Sequence, residues 1–328
     1  MGYFFRRLSF YLVALLVAAT LNFIIPRAMP GDPVTMMFAN ASVQVTPERI
    51  AAMKELLGFV EGGWVTQYIA YMKNILSWQL GTSIQFYPLS VNTLLGSAFG
   101  WSLFLAGSAV ILSFSLGSIL GIFAAWKRGS KYDTFITPGT LILQAVPQVV
   151  IAMLALFVFA IGLKWFPTGY AYTPGSTPDW TSWAFIKDVG YHAVLPLVCA
   201  SVVQIGGFLV NMRNNMINLL AEDYITMAKG KGLSENRVVF NYAARNALLP
   251  SVTALSMSLG MAIGGQLIVE IIFNYPGLGT VLLNAINARD YQVLQGQLLI
   301  MTLFMLSFNL IADMLYVVLD PRLRKGGK

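Results

Sequence analysis

Six long apolar stretches in this chain point to membrane-crossing helices. They run from Leu8 to Ile25, Trp101 to Trp126, Phe135 to Leu163, Val194 to Val210, Ser251 to Phe273 and Leu298 to Leu319. A hydrocarbon core about 30 Å thick is crossed by about 20 residues that rise about 1.5 Å each. Lipid offers no partner to an unpaired backbone N–H or C=O, so such a run must satisfy its hydrogen bonds internally, as a helix. The fourth run is the shortest and is expected to extend to Met212. The predicted fold class is an all-α integral membrane protein with about six transmembrane helices. Only 11% of the 328 residues are charged, against about 25% in a soluble domain.

The first run follows Arg6 and Arg7 and is read as an uncleaved helix. It is long for a signal peptide, and MPGDP follows it in place of a small-residue cleavage site. Six spans put both termini on one side. If that side is cytoplasmic it receives 14 of the 21 lysines and arginines: Arg6 and Arg7, three in 127–131, five in 213–245 and four from Arg322 onward. That asymmetry fits the positive-inside rule. The net charge of +7 is thus mostly topology, and no nucleic-acid partner is expected.

The outer side holds a long segment, 27–96. Thr46-Pro47-Glu48 reads as a helix start, with Ile50, Met53, Leu56 and Leu57 on one face. Tyr68, Tyr71, Met72, Ile75 and Trp78 form a second amphipathic stretch. Both are expected to lie on the membrane surface or to cover the mouth of a pathway. The loop Lys164 to Tyr191 is rich in Pro, Gly and aromatics and reads as irregular but ordered. Pro138, Pro147, Gly260, Gly264 and Gly265 fall within apolar runs. They fit either ordinary tolerance of Pro and Gly in lipid or kinks and close contacts in a moving protein.

No active site emerges. The single cysteine, Cys199, lies in an apolar run and excludes both an internal disulfide and a cysteine metal cluster. The single histidine, His192, stands at a membrane boundary, where a structural role is expected. GxSxG and HExxH are absent, and Gly230-Lys231-Gly232 lacks the Ser or Thr that a phosphate-cradling loop places after its Lys. The chain is therefore expected to be no enzyme, with no metal and no cofactor of its own. Glu270, with Gln266 near it, and Asp313 are polar groups within the spans and so candidates for a pathway or an interface. The alternative for Asp313 is a structural pairing near the inner end of its helix. A secondary transporter would favour inverted repeats and polar groups at mid-membrane; neither is evident.

Between the fourth and fifth runs lies DYITMAKGKGLSENRVVFNYAARNALLP, Asp223 to Pro250. Acids at its start suit a helix N-terminus. Gly230 and Gly232 are expected to end that helix. Ser234 is placed to cap a second helix, which carries Val238, Val239, Tyr242 and Ala243 and ends near Pro250. The pattern predicts a compact helical knob on the cytoplasmic face.

This stretch resembles the cytoplasmic loop of ABC-importer permeases, most nearly the first membrane subunit of the dipeptide/oligopeptide (and nickel) permease family. The resemblance runs nearly end to end. It takes in FFRRL, Pro30-Gly31-Asp32-Pro33, Leu80–Ile84 (LGTSI), Arg128-Gly129-Ser130 with Asp133, and Val269-Glu270 with Ile272-Phe273. It continues through Pro276-Gly277-Leu278-Gly279, Arg289-Asp290-Tyr291 and Gln295-Gly296 to Asp320-Pro321-Arg322. The general permease signature is EAA, three residues, then Gly. Here Thr226, Met227 and Ala228 occupy the first three places and Gly232 the last, so only Ala228 and Gly232 match.

The resemblance implies a type I importer permease fold in the cytoplasmic membrane of a bacterium or archaeon. It implies a single permease domain over 1–328: a first span in 1–26, an outer segment in 27–96, a five-span core in 97–319 with its coupling loop at 213–250, and a cytoplasmic tail in 320–328. The implied partners are a homologous second permease, two ATPase subunits carrying ATP and Mg²⁺, and an external substrate-binding protein. The implied ATPase contact is Thr226, Met227, Ala228, Lys229, Gly230, Lys231, Gly232, Leu233, Ser234 and Pro250, with Ala228 and Gly232 permitting close approach. The implied cargo is short peptides, with oligosaccharides as the alternative and nickel less favoured.

Overall fold

The computed structural model describes residues 2–28, 46, 48, 52 and 62–319. The apolar face expected at Ile50, Met53, Leu56 and Leu57, the Pro30–Pro33 motif and the tail from residue 320 lie outside the described residues. Within them the chain is helical: α1 Gly2–Ala28, α2 Trp64–Leu76, α3 Val91–Trp126, α4 Lys131–Ala145, α5 Gln148–Ala155, α6 Trp183–Leu220, α7 Asp223–Gly230, α8 Arg245–Gly265, α9 Leu267–Ile272, α10 Leu278–Ala288 and α11 Tyr291–Leu319. Leu156–Gly162 and Arg237–Ala244 wind as π-helix.

Among the described residues, four helices are long and apolar enough to cross a membrane: Arg6–Ile25, Val91–Trp126, Trp183–Leu220 and Tyr291–Met314. The third apolar run is not straight. Lys131–Ala145 and Gln148–Gly162 meet at 93°. Pro147 explains the break, because its ring disfavours helical angles on the preceding residue. Val146 accordingly sits at φ −75°, ψ 128°. Pro138, by contrast, is accommodated inside α4. The fifth run also differs from expectation. It splits at Gln266 (φ −99°, ψ 1°) into α8 and the six-residue α9.

Two compact units emerge, Met1–Ser102 with Pro276–Ser307, and Leu103–Tyr275 with Phe308–Lys328. In the first, α2 packs on the end of α1. Tyr68 Oη and Thr20 Oγ1 lie 2.8 Å apart, both Tyr68 and Tyr71 meet Phe23, and the Arg27 guanidinium stacks 3.8 Å over the Phe23 ring. The second amphipathic stretch of the sequence is thus a helix whose tyrosines turn toward the first span. The LGTSI segment is tied to the start of α11. Asp290 Oδ2 accepts from Ser83 Oγ (2.6 Å), Ile84 N (2.8 Å) and Gln85 N (3.1 Å).

The second unit is organised around the 38-residue α6. α3 lies against it through Gly117 and Gly121, where an added Cβ would fall 2.8 Å from Ile205 O and 2.6 Å from Leu209 O. α4 lies against it at Gly206, whose added Cβ would fall 2.7 Å from Thr140 O. These small residues let helix backbones approach closely, as membrane helices require where no hydrophobic force draws them together. Cys199 is buried as a free thiol. His192 is buried and its Nδ1 lies 2.9 Å from Asp188 O. The loop expected to be irregular through Tyr191 becomes helical at Trp183, because Phe185 and Val189 find a buried face. Its irregular part is held down: Tyr170 N donates to Phe273 O, Thr173 N and Oγ1 donate to Asp188, and Tyr191 Oη donates to Trp165 O.

Candidate functional site

The stretch between α6 and α8 folds as a helix, a glycine corner and a second helix. α7 spans Asp223–Gly230. Gly232 N donates to Lys229 O (2.9 Å) and Leu233 N to Ala228 O (3.4 Å), with Gly232 at φ +72°. This is a Schellman ending: a left-handed residue just past the helix lets two later N–H groups reach its last free carbonyls. Leu233 supplies the apolar contact that accompanies it, packing with Ala228 in a shared cluster.

That cluster fixes which way α7 faces. Ile225 and Ala228 are buried with Met212 and Met216 of α6, Ile122 and Ala125 of α3, and Val238, Val239, Ala243, Ala244 and Ala247. Three-residue spacing puts Ile225 and Ala228 on one side of a helix. Thr226, Met227, Lys229, Gly230, Lys231, Gly232 and Ser234 are exposed. Met227 is 60% exposed. Lys229 extends its Nζ to 5.5 Å above the Trp126 ring.

Two expectations change. Ala228 makes its close approach to its own chain and not to an outside surface, since it is 3% exposed. An added Cβ on Gly232 would meet nothing within 4 Å. Within the chain, what Gly232 supplies is its left-handed backbone. Pro250 is also displaced from its expected place. The second helix does not stop there but runs from Glu235 through the π-helical turn and α8 to Gly265, with Pro250 inside it. A continuous rod therefore joins the exposed corner to the fifth apolar run. A proline removes one helical hydrogen bond without ending a helix when the surrounding turns are packed, and here Ala247 and Ser251 are buried.

Among the in-span candidates, Gln266 and Glu270 share one turn: Glu270 N donates to Gln266 O at 3.1 Å. Both are buried, Glu270 completely. Tyr275 is fully buried within electrostatic reach of Glu270, and its N–H donates to Glu270 O at 2.8 Å. Asp313 stands half-buried on α11. Gln148, which the sequence did not single out, donates from Nε2 to Gln266 Oε1 at 3.2 Å. Among the described residues no group of three or more His, Cys, Asp or Glu is placed to hold a metal ion.

The family described as binding-protein-dependent transport system inner membrane component matches residues 117–325. The chain belongs to this family. Oligopeptide transport system permease protein AppB of Bacillus subtilis is 33% identical over 322 residues, 98% of this chain and 99% of that one. OppB of Haemophilus influenzae, an oligopeptide transport system permease protein, is 29% identical over 322 residues, with 98% and 99% covered. A protein of Brucella suis provisionally named a peptide permease is 32% identical over 322 residues, 98% of each. The permease is accordingly a multi-pass membrane protein of an ABC importer, the membrane part and not the ATPase part. Such a component implies partners: another permease, an ATPase and a substrate-binding protein.

Proposed function

We propose that this permease is one of two related membrane subunits that import short peptides. An external binding protein delivers the peptides, and two ATPase subunits holding ATP and Mg²⁺ drive the cycle. The observation that carries the cargo is the end-to-end similarity to permeases named for oligopeptides in two distant bacteria. In this reading the chain crosses the cytoplasmic membrane six times in a type I importer fold, the bent third run and the split fifth run each counting once. Both termini and the Asp223–Pro250 knob face the cytoplasm.

The knob docks on an ATPase through its exposed corner: Thr226, Met227, Lys229, Gly230, Lys231, Gly232 and Ser234. Ile225, Ala228 and Leu233 anchor it from beneath. Because the second helix continues through Pro250 into the fifth run, a displacement at the corner moves a span. Coupling requires such a rigid element with two positions set by nucleotide state. Glu270, Gln266 and Asp313 are the candidates to line the pathway or the contact with the second permease.

The test is reconstitution of the five-subunit importer in proteoliposomes. ATP-dependent uptake of labelled tri- to pentapeptides is expected, with labelled oligosaccharides and Ni²⁺ excluded. Uptake of an oligosaccharide but no peptide overturns the cargo, and gradient-driven flux by this chain without an ATPase overturns the class. Reporter fusions that place Lys231 outside would overturn the topology.

A further inference from the structure

The bent third run and the split fifth run are joined at their breaks. Gln148 is the first residue of α5, directly after Pro147. Gln266 is the single residue between α8 and α9. The hydrogen bond from Gln148 Nε2 to Gln266 Oε1, 3.2 Å long, therefore links two irregular points of backbone, 118 residues apart in sequence. Gln266 is 3% exposed. A carboxamide buried among apolar spans is costly unless bonded, and an aliphatic pair would fill the same space without that cost. An amide pair gives direction and reversibility, which packing alone does not.

Each break also divides its run into two shorter rods. α4 and the segment after it meet at 93°. α9 has six residues and is capped by Phe273, whose carbonyl accepts from Tyr170 N. Gln144, one turn before the break, borders Gly206 and Gly207 of α6: an added Cβ on Gly206 would lie 3.0 Å from Gln144 Oε1. α4 is thus fitted closely to α6 up to the break, and α5 after it packs against both α6 and α9, with the amide pair as its polar contact to the fifth run. Irregular backbone at membrane depth is tolerated where it is covered by protein or lines a cavity, and broken helices are where transported solutes are handled.

We propose that Gln148 and Gln266 are positioning residues of the transport cycle, a latch that holds the two broken spans together in the state described here and opens in the other state. The inference rests on the transport reading above, and its test separates the two. In the reconstituted importer carrying Gln148→Cys and Gln266→Cys, with buried Cys199 left in place, a short methanethiosulfonate cross-linker, needed because each cysteine is two bonds shorter than the glutamine it replaces, is expected to join the two residues in high yield without nucleotide. Trapping with ATP and vanadate is expected to lower that yield several-fold, and the joined complex is expected to stop transport until reduced. Equal yield in both states, or unchanged uptake by the joined complex, overturns the latch. A second readout serves where the cysteines assemble poorly. Gln148→Leu is expected to raise hydrolysis in the absence of binding protein by about threefold, the scale of side-chain hydrogen bonds between membrane helices. Gln148→Leu with Gln266→Leu is expected to go no further, because both remove one bond; additive effects overturn the proposal. If the unmodified importer moves no cargo, the transport reading fails, independently of the latch.

Discussion

Arg213 grips Asp133 through two parallel hydrogen bonds, Nε to Oδ1 and Nη2 to Oδ2, each 2.8 Å long. The pair ties the first turn of α4 to the C-terminal part of α6. The carboxylate is further held by Thr137 Oγ1 at 3.0 Å and Gly129 N at 3.1 Å, while Ser130 Oγ caps the same turn by accepting from Asp133 N. A planar fork meeting a carboxylate is the geometry only arginine supplies.

Replacing Arg213 with Ala should therefore lower stability by about 2 kcal/mol, since it leaves a largely buried carboxylate with fewer donors. Arg213→Lys should lose about half of that, because an ammonium cannot serve both oxygens at once. Thermal unfolding of the purified permease in detergent reads both. An unchanged midpoint for Arg213→Ala would show the contact to be idle.

Which parts of this were legible in the sequence follows from how local each cause is. Lipid demands uninterrupted apolar residues, so the runs announced themselves. The bend at Pro147 and the accommodation of Pro138 inside α4 did not, since both prolines fall in one apolar run and packing decides between them. The end of α7 was legible because Gly232 carries a local conformational need. The direction of Ala228 was not: a short helix has two sides, and only Met212, Met216 and Ala243 arriving from elsewhere settle which is inside. Arg213 with Asp133, and Gln148 with Gln266, are 80 and 118 residues apart, and a single chain of letters holds no trace of such pairings. Gly117 and Gly121 stand four apart in an apolar run, a readable sign of close helix contact that proline and glycine counting elsewhere did not pick up.

The orientation of α7 separates two kinds of damage. Ala228→Leu should overpack the buried cluster and lower stability by about 1–3 kcal/mol. Met227→Asp, on the exposed side, should leave the unfolding midpoint unchanged and reduce hydrolysis stimulated by the binding protein in the assembled importer. Gly232→Trp should leave the two permeases assembled but abolish coupled hydrolysis, because it forces a bulky side chain into left-handed backbone at the corner. Normal coupled turnover in both Met227→Asp and Gly232→Trp would refute the docking surface.

Asp290 should behave as the pin of the 80–90 segment. Its Oδ2 serves Ser83, Ile84 and Gln85, and its Oδ1 lies 3.3 Å from Val293 N in the first turn of α11. Asp290→Ala strands a buried hydroxyl and two backbone donors and should cost on the order of 3 kcal/mol. Asp290→Asn should cost less, because one oxygen can still serve the loop while the NH₂ faces a donor. Hydrogen exchange at Ile84 and Gln85 is the measurement. Faster exchange in the Ala variant than in the Asn variant is expected, and equal protection in all three proteins would rule the pin out.

Gly121 should tolerate nothing larger than hydrogen. An added Cβ would lie 2.6 Å from Leu209 O and 2.9 Å from Met212 Cβ, and Gly117 is confined in the same way by Phe208 Cβ at 2.7 Å and Ile205 O at 2.8 Å. All four neighbours are backbone or Cβ atoms of the one helix α6, so none can rotate away as a flexible side chain would. Gly107 on the same helix meets nothing within 4 Å. Alanine there should be neutral or stabilising by up to about 1 kcal/mol, the ordinary helix preference for Ala over Gly. Gly121→Ala gains the same preference yet should come out destabilised by about 1–3 kcal/mol, because α3 must move off α6 to admit the methyl group. The sign of the difference between the two variants, read from unfolding midpoints in one detergent, isolates the packing from the propensity. If Gly121→Ala is as stable as Gly107→Ala, the close approach of α3 to α6 is not what holds this unit together.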